Sequence, residues 1–513
     1  VLVGDHPPRP LVPGRVPADP RALLGRLHEA AVPGAAPFPR THQAVTAWLT
    51  AWQAREHPSD PGTPIHLIAL GKAAPAMAAG AAAAVQDAGM VVAGGVVVAG
   101  HAPGAGARPD PPLPPTLHRV TGDHPVPGPA SLAAAHALGE AVQAIPPGAV
   151  ALVLLSGGAT ALCAAPVAAL SQAVGDEARA QAHVANLAET LLGAGLAIHE
   201  MNAIRRRVLR WGAGRLAVAL AARGVAQLPV FAISDVIGDE PAVIGSGPCT
   251  ADPLDDTTLL ALLDAHGIRP RLERVMAVML GLEGATAPVT VPAATHPAFA
   301  LAPYALVARN ADAVAALGAA AAVAGCEVAA LGDGPLEGEA APLGARLVHE
   351  ALARAHDRGA HAPPLLLVAG GEPVVRLDAL GTEEDGTEDG RAPADEGDEP
   401  LRGGRMQALA LAAALALEQR AAAGDPLAGR VTLLAAGTDG RDGPTDAAGA
   451  IVDAAVPALA RRAGRRPERE LATGRSWFPL DAAGALLRTG PTGTNVMDVV
   501  AVLLPPAGRA AAR

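Results

Sequence analysis

The sequence predicts an α/β protein of two domains, each with a mostly parallel or mixed sheet flanked by helices. Three observations carry that expectation. The chain has 513 residues, more than one hydrophobic core usually serves at a working size of ~150 residues per domain. From about Arg21 onward, alanine-rich stretches of helical character alternate with short runs of Val, Leu and Ile. Those runs are continuously apolar and end in glycine, serine or aspartate, as strands do when helices cover both faces of a parallel sheet.

The elements follow in order. The proline-rich first twenty residues lack the long apolar core of a secretory signal and read as an extended lead-in. "HLIALGK", ending at Lys72, is a strand with its terminal turn. The proline-rich segment 103–115 reads as a loop. "AVALVLLSGGATALCAAPVAAL", residues 149–170, could span a bilayer by length, but its central Ser-Gly-Gly makes it a buried strand, a tight loop and a short helix. "LPVFAISD", "LLLVAGGE" and "VTLLAAGTDG" supply further strands. The domain boundary is expected near Arg354 to Pro364, separating residues 21–355, a Rossmann-like domain, from residues 365–510. Within the second domain, residues 377–400 are acidic and poor in apolar side chains. They read as a disordered surface insertion or, alternatively, a metal-binding acidic loop.

Composition narrows the partners. Half of the residues are hydrophobic but only 2% are aromatic, so the cores must be assembled from Ala, Val and Leu. A net charge of −11, with basic residues scattered apart from a cluster at Arg205, Arg206, Arg207 and Arg210 and another at Arg461 to Arg475, argues against nucleic acid as a principal partner. Cys163, Cys249 and Cys326 are odd in number and lack metal-ligand spacing, which fits a reducing cytoplasm. Neither a membrane nor a nucleic acid is expected to bind, and a homodimer is the assembly considered.

The polar motifs sit at strand ends, where α/β sheets bind ligands. Lys72 is the only lysine among 39 basic residues. An ammonium acts as a compact point charge on phosphate or carboxylate oxygens where arginine's planar fork does not fit; the plain alternative is a leftover surface lysine. It is not a Walker A lysine, because Ala73 stands where Ser or Thr would be. Ser156, Gly157, Gly158, Ala159 and Thr160 form a strand-to-helix turn whose amides and helix dipole suit an anion, unless the glycines serve the turn alone. Gly370, Gly371 and Glu372 repeat the device. Asp235 ends a strand, placed to accept a hydroxyl proton, to hold magnesium, or simply to cap a helix. Asp439, Asp442 and Asp446 lie among glycines, spaced for a divalent cation or for a turn-rich loop. Gly212-Ala213-Gly214 superficially matches a dinucleotide fingerprint but follows the basic helical stretch "MNAIRRRVLRW" and not a strand.

Taken in order, "GKAAPAM", "TGDHPVPGPAS", "LLSGGATAL", "MNAIRRR", "SDVIGDEPAVIGSGP", "LEGEA", "GGEPVV", "GGRMQ", "AGTDGRDGPTDAAGA" and "TGPTGTNVMD" resemble the class II glycerate 2-kinases, whose C-terminal half is the MOFRL domain. The resemblance runs from about Arg21 to Leu504. It implies two α/β domains with the active site in the cleft between them, ATP and Mg²⁺ as cofactors, and transfer of the γ-phosphoryl group to the 2-hydroxyl of D-glycerate. Lys72 and Arg405 would clamp carboxylate or phosphoryl oxygens, and Asp235 would orient or deprotonate the hydroxyl. Ser156 to Thr160, Asn310, Glu372, the loop Gly437, Thr438, Asp439 and Gly440 to Asp442, and the loop Thr492, Gly493, Thr494 and Asn495 would surround the substrates. Asp235, Asp439 and Asp442 would serve the metal. The chain departs from the family pattern at Met406, Ala408 and Met497, and in the run Ile204 to Arg207 and the turn Gly212 to Arg215. These departures bear on the choice of sugar acid. Two other functions stay open at this point: a hydroxypyruvate reductase, and a non-catalytic sugar-acid-binding homologue.

Overall fold

Twelve strands fall into two six-stranded sheets in a computed structural model that describes residues 19–55, 62–101, 111–194, 196, 198–282, 290–358, 362–375 and 401–504. Most of the N-terminal lead-in, much of the proline-rich loop and the acidic insertion lie outside the described residues.

One compact unit comprises Ala36–Gly104 and Pro109–Arg309. Its strands are β1 (Ile65–Leu70), β2 (Val92–Ala99), β3 (Leu117–Thr121), β4 (Val150–Leu155), β5 (Val230–Ile233) and β6 (Tyr304–Ala308). All pair in parallel, in the order β3-β2-β1-β4-β5-β6. Every residue of β1, β4 and β5 is buried, which is why these strands read as unbroken apolar runs. The helices Pro129–Ala144 and Arg215–Ala222 supply Leu138, Val142, Leu216 and Leu220 to a core with Ile68, Val96, Val153 and Val230. The helix Ala74–Asp87 packs on β1 and β2 and against the helix Pro37–Gln53. Gly80 permits that approach, since a Cβ there would stand 2.4 Å from the Phe38 carbonyl oxygen. A satellite core of Leu170, Val184, Leu187, Ile204 and Leu263 joins the helices between β4 and β6. The uncharged stretch 149–170 is strand β4, a turn and the one-turn helix Ala159–Leu162. No helix among the described residues is long and apolar enough to cross a membrane.

The other unit is formed by the described residues of Val1–Ala35 and Asn310–Arg513. It holds β7 (Glu327–Ala330), β8 (Leu365–Gly371), β9 (Thr432–Gly437), β10 (Gly449–Val452), β11 (Leu486–Leu487) and β12 (Asp498–Leu504). Their order is β11-β10-β9-β12-β8-β7, with β7 and β8 parallel and every other pair antiparallel. Alternation along the strands sends Leu365, Leu367, Leu433, Val500 and Val502 to the face covered by the helices Ala340–His356 and Arg405–Ala422. These two helices meet closely, for a Cβ on Gly344 would lie 2.2 Å from the Leu409 carbonyl oxygen.

This division differs from the expected boundary near Arg354 to Pro364. Strand β7 is hydrogen-bonded to β8 from Glu327↔Leu365 to Ala330↔Val368, so the sheet recruits chain from before that point. The helix Pro20–Gly34 also belongs to the mixed sheet's unit: Arg21 pairs with Asp453, and buried His28 bonds the Gly437 carbonyl at 3.1 Å.

Candidate functional site

In the parallel sheet, chain leaving β1 goes on to β2 and β3 on one side, while chain leaving β4 goes on to β5 and β6 on the other. The C-terminal ends of two adjacent strands that part in this way open a crevice. The residues there are Gly71 and Lys72 after β1, Ser156, Gly157 and Gly158 after β4, and Asp235 after β5.

Backbone bonds stitch the first two turns together. The Lys72 amide donates to the Gly157 carbonyl at 2.9 Å, and the Ala73 amide to Ser156 Oγ at 3.0 Å. Gly71 has φ +124°, and a Cβ there would stand 2.3 Å from Ser156 Oγ, so only glycine fits. Asp235 stands over the second turn, its Oδ2 only 1.7 Å from where a Gly157 Cβ would be. The corresponding point on Gly158 lies 3.1 Å from Lys72 Cγ, 3.2 Å from Lys72 Cε and 3.3 Å from His124 Cδ2. Thr160 Oγ1 shares a 2.7 Å hydrogen bond with Ser246 Oγ. Lys72, Ser156 to Thr160 and Asp235 are therefore brought together within this unit.

Two details alter the expected chemistry. The helix Ala159–Leu162 is one turn long, too short for a macrodipole of consequence. The anion-binding capacity of the turn rests instead on its backbone: among the described residues no acceptor takes the amides of Gly157, Gly158, Ala159 and Thr160. His124, which sequence reasoning did not single out, flanks the lysine. Its pKa is pushed down to about 4 by burial and then by the charges of Lys72 and Arg205, so the imidazole is neutral at physiological pH.

The mixed sheet gathers the second set of residues at the ends of β8, β9 and β12. Asp498 opens β12 between Gly371 of β8 and Gly437 of β9. Arg405, the first residue of its helix, grips it through Nε at 2.6 Å and Nη2 at 3.3 Å, and gives Nη1 to Glu372 at 2.7 Å. Burial alone would lower the Arg405 pKa, but Asp498 and Glu372 outweigh it and raise it. Asn310 Nδ2 donates to the carbonyls of Val496 at 2.7 Å and Asp498 at 2.9 Å. Thr438 Oγ1 donates to the Met497 carbonyl and accepts from the Val496 amide, while Thr492 Oγ1 donates to the Thr438 carbonyl. Asn495 Oδ1 accepts from the Met497 amide, and Thr494 Oγ1 donates to the Ala35 carbonyl. A Cβ on Gly440 would lie 2.0 Å from the Gly490 carbonyl oxygen, so the two loops touch through backbone.

The three loop aspartates do not form a cation cage. Asp442 is buried and accepts from the amides of Met406 at 3.1 Å and Gln407 at 2.7 Å, which caps the helix that presents Arg405. Asp439 Oδ1 accepts from the Arg441 amide at 3.0 Å in a tight turn. Asp446 binds Arg402, Arg488 and the Trp477 indole. No group of three or more His, Cys, Asp or Glu side chains able to hold a metal is found among the described residues. The departures Met406 and Ala408 place buried apolar side chains on that helix, and Met497 takes φ +66°, a conformation that favours Gly or Asn.

Burial raises the Asp442 carboxyl to about 6, more than its two amide donors and Arg405 lower it. A carboxyl raised in the fold gives stability that is present below the unfolded-chain value near ~4 and is lost as pH rises through its folded value. The unfolding temperature of the wild type minus that of Asp442→Asn is therefore expected to fall as pH rises from about 4 to about 7. A difference that rises over that range would contradict the assignment.

The fold and these strand-end residues define a two-domain α/β protein in which a lysine, a glycine-rich turn and an aspartate meet at a topological switch point. A family model described as "Domain of unknown function (DUF4147)" matches residues 23–280, and the MOFRL family model matches residues 365–498. The chain is 30% identical over 384 residues to D-glycerate 2-kinase of Thermotoga maritima, covering 74% of this chain and 78% of that protein. It is 34% identical over 383 residues to an Agrobacterium vitis protein whose name proposes a hydroxypyruvate reductase, covering 74% and 76% of the two chains. The crystal structure of glycerate kinase from Thermotoga maritima superposes with a TM-score of 0.70 at 26% identity, covering 95% of this chain and 100% of that one. This chain belongs to the glycerate kinase family that joins a DUF4147 domain to a MOFRL domain.

Proposed function

We propose that the chain is an ATP-dependent glycerate 2-kinase, moving the γ-phosphoryl group to the 2-hydroxyl of D-glycerate. The observation that carries this reading is the switch point of the parallel sheet, where one ammonium, four amides without acceptors and one carboxylate converge. Phosphoryl transfer requires chiefly positioning and charge neutralisation, which such groups supply. Lys72 neutralises carboxylate or phosphoryl oxygens, and the Ser156 to Thr160 turn cradles an anionic oxygen through its amides. Asp235 orients the acceptor hydroxyl and accepts its proton. Arg405, held by Asp498 and Glu372, presents a fixed positive charge, and Asn310, Thr438, Asp439, Gly440 and Thr492 to Asn495 shape the loops around the nucleotide.

Magnesium fits part of the donor set. A Mg²⁺ ion carried on nucleotide phosphates takes only one or two protein carboxylates, and Asp235 meets that need. Asp439 has one oxygen committed to a turn, and Asp442 fits poorly because both of its oxygens are held by amides. When bound, the ion neutralises phosphate charge.

A nicotinamide-dependent reductase finds less support. Gly212 to Gly214 leads into the helix Arg215–Ala222 from the helix Ile198–Val208, and the Arg215 guanidinium binds the carbonyls of Arg206, Arg207, Leu209 and Gly212. That turn is occupied by the protein itself. Incubation with ATP, Mg²⁺ and D-glycerate is expected to release ADP and yield the 2-phosphate, with no oxidation of NADH by hydroxypyruvate. The 3-phosphate as product, or NADH oxidation, would overturn the reading. Nucleotide binding without ADP release would favour a non-catalytic homologue.

A further inference from the structure

Three consecutive arginines lie on the helix Ile198–Val208, and all are buried: Arg205, Arg206 and Arg207 are 9%, 3% and 5% exposed. Two of them are neutralised. Arg206 and Arg207 approach the two oxygens of Asp252 at 2.6 and 2.7 Å, and Arg207 also reaches Asp256 at 2.7 Å. Arg206 gives a further bond to the Ala242 carbonyl. Arg205 differs: no carboxylate among the described residues pairs with it, and of the three it alone leaves Nη2 as well as Nε buried without a hydrogen-bond partner. A buried cation left without a counter-ion is costly, so its retention calls for an anion that comes and goes.

The shape of the free edge says which anion. Nε and Nη2 together form the side of a guanidinium that meets a carboxylate through two bonds. Among the described residues Arg405 uses that edge on Asp498, Arg21 on Asp453 at 3.1 and 2.9 Å, and Arg269 on Asp264. Its location follows from packing: the helix Ile198–Val208 contacts the turn Ile244–Ser246, and that turn contacts the helix Ala159–Leu162 and bonds Thr160 through Ser246 Oγ. The charge of Arg205 felt at His124, beside Lys72 at Gly158, agrees with that placement.

We infer that Arg205 binds the carboxylate of the acceptor sugar acid, leaving Lys72 for the phosphoryl oxygens. This inference rests on the kinase reading above. Both free nitrogens are closed to solvent in the ligand-free chain, so engagement turns the side chain toward the crevice. His124, neutral and adjacent, adds no second charge to compete for the acid.

Titration calorimetry on the full chain tests this with D-glycerate, its uncharged methyl ester and Mg-ATP. The wild type is expected to bind D-glycerate and not the ester. Arg205→Met should weaken D-glycerate binding about 10-fold or more, as loss of charge-assisted hydrogen bonds does, while Mg-ATP affinity stays within about 2-fold. Arg205→Lys, with charge but no fork, should fall between. Arg205→Met should also keep or raise the unfolding temperature, whereas Arg206→Met should lower it by orphaning Asp252. Unchanged glycerate affinity in Arg205→Met, or a loss confined to Mg-ATP, would overturn the assignment. A wild type that binds no glycerate at all would instead overturn the kinase reading, and this inference with it.

Discussion

Lys72→Arg should lower kcat by about 100-fold while the unfolding temperature stays close to that of the wild type, because a misplacement of about 1 Å at a reacting group costs that much. The charge survives the substitution; its position does not. The Lys72 chain runs past the point a Gly158 side chain would occupy, with Cγ and Cε both within 3.2 Å of it, and His124 Cδ2 lies 3.3 Å from the same point. A planar guanidinium entering that slot displaces the turn or swings away from it. The lysine is exposed, so no core contact is lost and stability is a clean control. Steady-state kinetics beside thermal unfolding check this, and wild-type turnover in the variant would remove the reason for assigning Lys72 a role.

Arg405→Met should cost on the order of 3 kcal/mol of stability, since removing one partner leaves the other charge buried and alone. The orphan is Asp498, 4% exposed by its side chain, whose carboxyl is already pushed up by burial and held down by Arg405. Adding Asp498→Leu to Arg405→Met should recover most of that stability but none of the activity, because the fixed cation is still missing. Denaturant unfolding and turnover of the two variants separate the roles. Should the double variant regain turnover, Arg405 is a structural residue only.

Much of the fold was legible because strands buried on both faces leave an unmistakable apolar run, in the parallel sheet at β1, β4 and β5 and in the mixed sheet at β8 and β9. Strand β7 carried no such signal. Its four residues are exposed or half-buried, and its pairing with β8, together with the helices Asn310–Val323 and Ala340–His356, draws the preceding chain into the mixed sheet's unit. The strand-end glycines with Lys72 and Asp235 were readable for a related reason: a turn that must admit another backbone or a carboxylate has no room for a side chain.

The residues that escaped share a different property. Asp498 looks in sequence like the polar boundary of an apolar strand, and its pairing with Arg405 bridges residues 93 positions apart. His124 reaches Lys72 only through the path of the loop after β3. Arg205 is indistinguishable by composition from Arg206 and Arg207, and burial of Asp252 against those two is what sets it apart. For the loop aspartates the sequence left two readings open, since spacing that suits a cation also suits a helix cap and a surface ion pair, and Asp442 and Asp446 make contacts of the latter kinds.

The most direct measurement is a crystal structure of the chain with D-glycerate and a non-hydrolysable ATP analogue bound. Glycerate is expected at the C-terminal ends of β1 and β4, with its carboxylate on Arg205, its 2-hydroxyl on Asp235 and Lys72 Nζ within hydrogen-bond reach of an anionic oxygen. Glycerate bound elsewhere, with Lys72 Nζ turned to bulk solvent, would contradict it.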